Sequence, residues 1–169
     1  MISLGNLLLG PTGFRMKTDI QFMQAALFAA NQAGMENEIP IGALLVQDQT
    51  IIARAHNKTI SLHDPTAHAE ILAIREAGKK LKNYRLPGLT LYVTLEPCIM
   101  CMGALIHARI QRIVYGAKDL KWGGCGSLYH MENDHRLNHK IKVNGGVCEN
   151  ECRQIIQSFF KEKRNNNNG

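Results

Sequence analysis

The period at which apolar residues recur changes along the chain, and each change marks an element. From Phe22 the apolar positions fall at Ala25, Ala26, Ala29 and Ala33, the spacing of a helix with one buried face. Thr18 and Gln21 precede this run with the spacing of a capping box, and Gly34 supplies a stop. Residues 39–46 are almost continuously apolar, as in a strand covered on both faces. A polar turn at 47–50 and a second run at 51–56 make these two strands a hairpin.

Further along, Asp64 and Pro65 predict a helix over 64–81, with Asp64 as N-cap and Pro65 in the first helical position. A strand follows at 90–95. Glu96 and Pro97 open a helix to 108 by similar logic, and 112–115 reads as a fourth strand. Residues 116–138 are polar and loop-rich, and 141–143 forms a short fifth strand. A last amphipathic helix spans 149–163, with Ile155, Ile156, Phe159 and Phe160 as its core stripe. A hairpin followed by alternating helices and strands predicts one α/β domain over 18–164. Its expected form is a three-layer α/β/α arrangement around a central mixed five-stranded sheet. Residues 1–17 read as a loose leader, in which Met16 is an alternative start. They lack a basic n-region, and Gly5 and Asn6 interrupt their apolar stretch, unlike a signal peptide. Residues 165–169 read as a disordered polar tail.

Composition narrows the function classes. A chain of 169 residues can bury one core, and 45% hydrophobic with 20% charged residues excludes collagen-like or wholly disordered classes. No apolar run reaches the roughly 18 residues of a membrane helix. The net charge of +6 suits a polyanionic partner such as nucleic acid, or is simply a solvated basic surface. Five cysteines, an odd number, point to a reducing cytoplasm rather than a secreted disulfide framework.

Two segments carry chemistry: His68-Ala-Glu70 and Pro97-Cys98-Ile-Met-Cys101, each near the start of a predicted helix. Cys98 and Cys101, at i and i+3, share a helix face and can grip one metal, and the positive helix end favours thiolates. A lone C-x-x-C is also compatible with a redox pair, half a structural zinc site, or chance. His68 adds a third ligand. Two thiolates, one imidazole and Zn²⁺ sum to zero charge, and three protein ligands leave the fourth position open, as catalytic zinc requires. Zinc lowers the pKa of water to about 7. Glu70, two residues from His68, does not share its helical face. If the helix points end-on at the metal, Glu70 still reaches the site as a proton shuttle, which deamination needs.

H-x-E followed by P-C-x-x-C is the signature of zinc deaminases that act on bases, and the chain resembles the cytidine deaminase-like superfamily. Within it, further segments resemble the tRNA-specific adenosine deaminases. These include Ile-Pro40-Ile-Gly42, Ala-His-Asn57, His63-Asp-Pro-Thr-Ala, Asn83-Tyr-Arg-Leu86, Gly116-Ala-Lys-Asp119 and Asn138-His139. The resemblance covers residues 18–164. It implies one zinc per chain on His68, Cys98 and Cys101, with Glu70 as the proton shuttle. It further implies that Asn57 contacts a flipped base, that Asp119 lies near the RNA beside the target, and that Lys161, Lys163 and Arg164 lie along the RNA. The expected reaction is adenosine to inosine at the wobble position of a tRNA anticodon stem-loop, by a homodimer. Lys161 and Lys163 stand where arginine is expected, which weakens bidentate phosphate contact there.

Each of these residues also has a plainer reading. Asn57 and Asp119 are ordinary turn residues by position, and Cys148 with Cys152 reads as buried packing. Cys125, between glycines, reads as an exposed thiol. Trp122 is either a stacking surface for a base or a hydrophobic lid. Lys118 and Lys121 join the candidate phosphate contacts. Two other function classes compete: a deaminase of free nucleobases and a non-catalytic zinc-stabilised RNA-binding module. Glu70 argues against the module and the basic last helix against the free-base enzyme.

Overall fold

The computed structural model describes residues 17–167, so all of the expected leader but Lys17, and the last two residues of the tail, lie outside the described residues. The first helix, α1 (Asp19–Met35), starts at the expected capping box. Thr18 N–H donates to Gln21 Oε1 (2.9 Å), and Gln21 N–H donates to Thr18 Oγ1 (3.4 Å). It runs one residue past Gly34. The hairpin follows as β1 (Gly42–Gln47) and β2 (Thr50–His56). Asp48 and Gln49 between them both have positive φ, 45° and 66°, the tight turn whose twist matches paired strands. Residues 39–41 stay outside β1.

The remaining elements are α2 (Ala69–Leu81), β3 (Thr90–Leu95), α3 (Ile99–His107), β4 (Arg112–Ala117), β5 (Lys142–Asn144) and α4 (Glu149–Asn167). The sheet order is β2-β1-β3-β4-β5. β1 runs antiparallel to both its neighbours, while β3–β4 and β4–β5 are parallel. The mixed five-stranded α/β sheet therefore stands as expected. α2 and α3 cover one face over a core of Leu45, Leu91, Val93, Met102, Leu105 and Ile113. α1 covers the other over Phe22, Met23, Ala26, Leu44 and Val114, with Cys152 of α4 in the same core.

Gly42 sets the depth of α1. A Cβ there would lie 2.1 Å from the Ala26 carbonyl oxygen and 2.6 Å from the Ala30 nitrogen. Asp19 pins the helix start by accepting from both Arg112 nitrogens (3.0 and 2.7 Å) and from the Tyr92 hydroxyl (2.7 Å).

Five expectations need correction. α2 starts at Ala69, not at 64, because Asp64 Oδ1 accepts from the Thr66 N–H and hydroxyl (2.8 and 2.7 Å). That local turn diverts the chain until His68 becomes the N-cap. α3 likewise starts at Ile99, since Glu96 turns away to other donors and Cys98 is the N-cap. The stripe of α4 is not a core: Ile155, Ile156 and Phe159 are half-buried and Phe160 is 42% exposed, because an open groove separates Ile155 and Phe159 from Leu27 and Met35 of α1. The same helix continues through 165–167, so those tail residues are helical. Cys125, finally, is 3% exposed. Its flanking glycines let the loop press against Met102 and Glu96 instead of standing free.

Candidate active site

The late starts of α2 and α3 build the site. His68 and Cys98 are the N-caps of two helices, Cys101 lies in the first turn of α3, and Glu70 lies in the first turn of α2. Two positive helix ends thus meet where the sulfurs gather, which favours thiolates. His68 Nδ1 lies 3.7 Å from Cys98 Sγ and 3.6 Å from Cys101 Sγ, and all three ligand atoms fall within 4.8 Å of one another. Zinc–sulfur and zinc–nitrogen bonds of about 2.3 and 2.0 Å at a tetrahedral angle put nitrogen and sulfur about 3.5 Å apart. The three atoms therefore match one face of a zinc tetrahedron.

The proton chemistry fits the same cation. The Cys101 thiol donates to Cys98, which with the His68 contact outweighs burial and pushes the Cys98 thiol down to about 4. Cys101 is pushed up for the same reason, with burial and the Glu70 carboxylate adding to it. The Cys98 sulfur also raises His68. Two thiols this close cannot both ionise without positive charge between them, which a divalent ion supplies. Glu70 is only 4% exposed. Burial pushes its carboxyl up to about 7, against its own backbone N–H, His68 and the Cys101 thiol, which lower it. A buried carboxyl whose proton is held more tightly than usual lies next to the three candidate ligands, the arrangement that a proton-transfer group requires.

Around this centre the sequence candidates fall into two groups. Asn57 is brought in: it is 3% exposed and follows β2, and the next residue's N–H donates to the Ala67 carbonyl (3.0 Å), one residue before His68. Asp119 sits in the loop after β4, where its Oδ1 accepts from the Lys121 and Trp122 N–H groups (2.9 and 3.1 Å). Trp122 precedes Gly123, which pairs with Cys98. Lys161, Lys163 and Arg164 belong to α4 in the opposite layer and are not part of the pocket. The groove between α1 and α4 joins Phe159 and Glu162 to Met35 and Pro40, at the sheet end where Gly42 N–H meets Thr94 Oγ1. That brings the basic run to the same end of the molecule.

Sequence reasoning missed two buried carboxylates. Glu38 is fully buried, and it accepts from the Ile60 and Ser61 N–H groups (3.1 and 2.7 Å), holding the loop after Asn57. Burial pushes its carboxyl up, but these donors outweigh that and hold it below its ordinary value. Glu96 is 1% exposed. Its Oε1 accepts from Cys125 and Ser127 N–H (3.2 and 2.9 Å), and its Oε2 from Asp119 N–H (3.2 Å) and the Ser127 hydroxyl. The only signal was an acid wedged between a buried strand and the Cys98-x-x-Cys101 segment.

Known proteins resemble this chain in sequence and fold. The family model of the MafB19-like deaminases matches residues 17–164. A curated tRNA-specific adenosine deaminase of Haemophilus influenzae is 48% identical over 151 residues, covering 89% of this chain and 87% of that protein. The chain belongs to the tRNA-specific adenosine deaminases. A solved structure from work on A-to-I editing by tRNA:A34 deaminases at the wobble position of transfer RNA is 47% identical. It covers 80% of this chain and 98% of its own, with a TM-score of 0.77. Guanine deaminase from Bacillus subtilis is 39% identical over 60% of this chain and 66% of its own, with a TM-score of 0.58. The deaminase fold thus serves more than one purine substrate, and the fold of this chain is theirs. Among the described residues no helix is long and apolar enough to cross a membrane.

Proposed function

We propose that this chain is a zinc-dependent hydrolase that converts adenosine to inosine at the wobble position of a tRNA anticodon loop. One zinc ion per chain is held by His68, Cys98 and Cys101. The observation that carries the chemistry is the tetrahedral face of these three ligands with buried Glu70 beside it. The names of its 42–49% identical relatives support the substrate.

Adenosine and water become inosine and ammonia. When bound, zinc supplies the Lewis acidity that makes water nucleophilic at neutral pH. Glu70 takes one proton from the attacking water and delivers it to the ring nitrogen, then takes the second from the newly added hydroxyl and delivers it to the departing amine. Burial keeps the Glu70 carboxyl away from bulk water, so the proton moves within the site. Asn57 donates its amide to Thr59 Oγ1 (3.3 Å), and its carbonyl oxygen is the group we assign to the edge of the flipped base. An anticodon loop is single-stranded, so extruding one base costs little. Asp119, Lys161, Lys163 and Arg164, with Lys118 and Lys121, contact the flanking RNA. We further propose a cytoplasmic homodimer.

The test compares inosine formation on a wobble-adenosine stem-loop with turnover of free adenosine, guanine and cytosine. Deamination of the stem-loop alone is expected. If Z lysines and arginines neutralise phosphates, log affinity falls against log salt with a slope of about −0.7Z. Faster turnover of a free base, or a salt-insensitive Michaelis constant, would replace this reading with that of a nucleobase deaminase.

A further inference from the structure

Glu96 does more than fill the space before Cys98. Three of its four acceptor contacts fix the backbone at Asp119, Cys125 and Ser127, and the fourth takes the Ser127 hydroxyl. Gly124 N–H donates to the Pro97 carbonyl (2.8 Å), and Gly123 pairs with Cys98. A Cβ on Gly123 would lie 2.5 Å from the Glu96 carboxylate, and one on Gly124 2.7 Å from Met102 Cγ. The loop is therefore clamped to the segment that carries two metal ligands. Its outward face is nevertheless apolar and basic: Leu120 is 76% exposed, Trp122 62%, and Lys118 and Lys121 are exposed too. A lid would have to swing, and this backbone is pinned. A rigid loop that leaves a large aromatic in water beside the reaction centre, between lysines, has the composition of a stacking platform for single-stranded nucleic acid.

We propose that Trp122 stacks on a nucleotide next to the target adenosine, with Lys118 and Lys121 facing the adjoining phosphates. The inference rests on the RNA substrate proposed above and names the residue that seats the neighbouring base. Stacking on the neighbour holds the strand while the target base enters the zinc pocket, so it acts on RNA affinity and register rather than on the proton transfers.

Trp122 is the only tryptophan of the chain, so its fluorescence reports on this contact without labelling. The zinc-loaded full chain is titrated with an anticodon stem-loop that carries inosine at the target position, which binds without turnover. Two further RNAs carry an abasic residue on the 5′ or the 3′ side of that position. Binding of the intact RNA is expected to quench the emission, and one of the two abasic RNAs should lose the quench and bind about 5- to 150-fold more weakly. With substrate RNA, Trp122→Ala should raise KM by a similar factor, more than it lowers kcat, and Trp122→Phe should recover most of the loss. A quench that survives in both abasic RNAs, or a KM within twofold in Trp122→Ala, overturns the proposal while the stem-loop is still deaminated. An RNA that is neither bound nor deaminated overturns the substrate reading and the proposal with it. Emission that changes with protein concentration in the absence of RNA would assign Trp122 to contact with a second copy, and also overturns it.

Discussion

Replacing Glu96 by glutamine keeps the shape of the clamp and removes one acceptor. The amide oxygen can stay at the Oε1 position and serve Cys125 and Ser127 N–H. The NH₂ group then occupies the Oε2 position, donor against donor with Asp119 N–H, while the Ser127 hydroxyl rotates to accept. One buried backbone donor is left without a partner, at about 1–3 kcal/mol, and two charge-assisted bonds become neutral and weaker. Relief from burying a charge offsets part of this. The expected net is about 2 kcal/mol off the free energy of opening residues 119–127, or roughly 30-fold faster exchange of their amides. Hydrogen exchange read by mass spectrometry compares that loop with β1 as an internal reference. Zinc content should hold, since Glu96 is not a ligand. Exchange in 119–127 within threefold of the parent chain would refute the clamp.

Glu70→Gln should keep zinc and fold and lose about 10³–10⁴-fold in turnover of the stem-loop, measured under single-turnover conditions. Retention of a tenth of the parent rate would remove Glu70 from the proton path, and loss of zinc would make it a ligand. Chelation should lower the melting temperature. With free zinc 1,000-fold above its dissociation constant, the metal contributes about 4 kcal/mol, or roughly 10 °C for a domain of this size, and an unshifted melt contradicts the site. Gly42→Ala forces a methyl into the α1 backbone and should cost about 3 kcal/mol or more in denaturant titrations. Asp19→Asn should cost about 1 kcal/mol at pH 7. The Arg112 contact holds the folded Asp19 carboxyl below 3.8, so its contribution is full above that value and fades as pH falls further. The gap between the two proteins should close in acid, and a gap constant down to pH 2 would refute the pair.

Local patterns carried most of the architecture into view. The capping box at Thr18, the hairpin turn and the strand 90–95 are set by neighbours within a few residues, and their side chains declare them. The helix starts at 64 and 96 were misread because an acid followed by proline caps a helix and builds a turn equally well. What decided between them was a hydrogen bond within the turn for Asp64 and partners about 30 residues away for Glu96. Glu38 and Glu96 escaped notice because they bind backbone N–H groups, which every residue but proline offers, so the partner segment bears no mark. The α4 stripe misled in another way: periodicity gives a face but not how far the neighbouring layer extends. That His68, Cys98 and Cys101 gather in one place was legible because soft ligands and an acid at those spacings have few other uses together.

The two buried carboxylates bear on how such an enzyme changes its substrate. Each holds a loop by main-chain hydrogens, so the hold is indifferent to which side chains the loop displays. Positions 118, 120, 121 and 122 on one loop, and 62 and 63 on the other, can drift while the scaffold stays where it is. The forbidden changes are few: proline where a carboxylate takes an N–H, any side chain at Gly123, Gly124 or Gly126, and a β-branched one at position 63, where φ is 51°. A lineage of this design can try many RNA contexts in succession without disturbing the cluster of His68, Cys98 and Cys101, and laboratory selection for new targets should find its gains at those outward positions first.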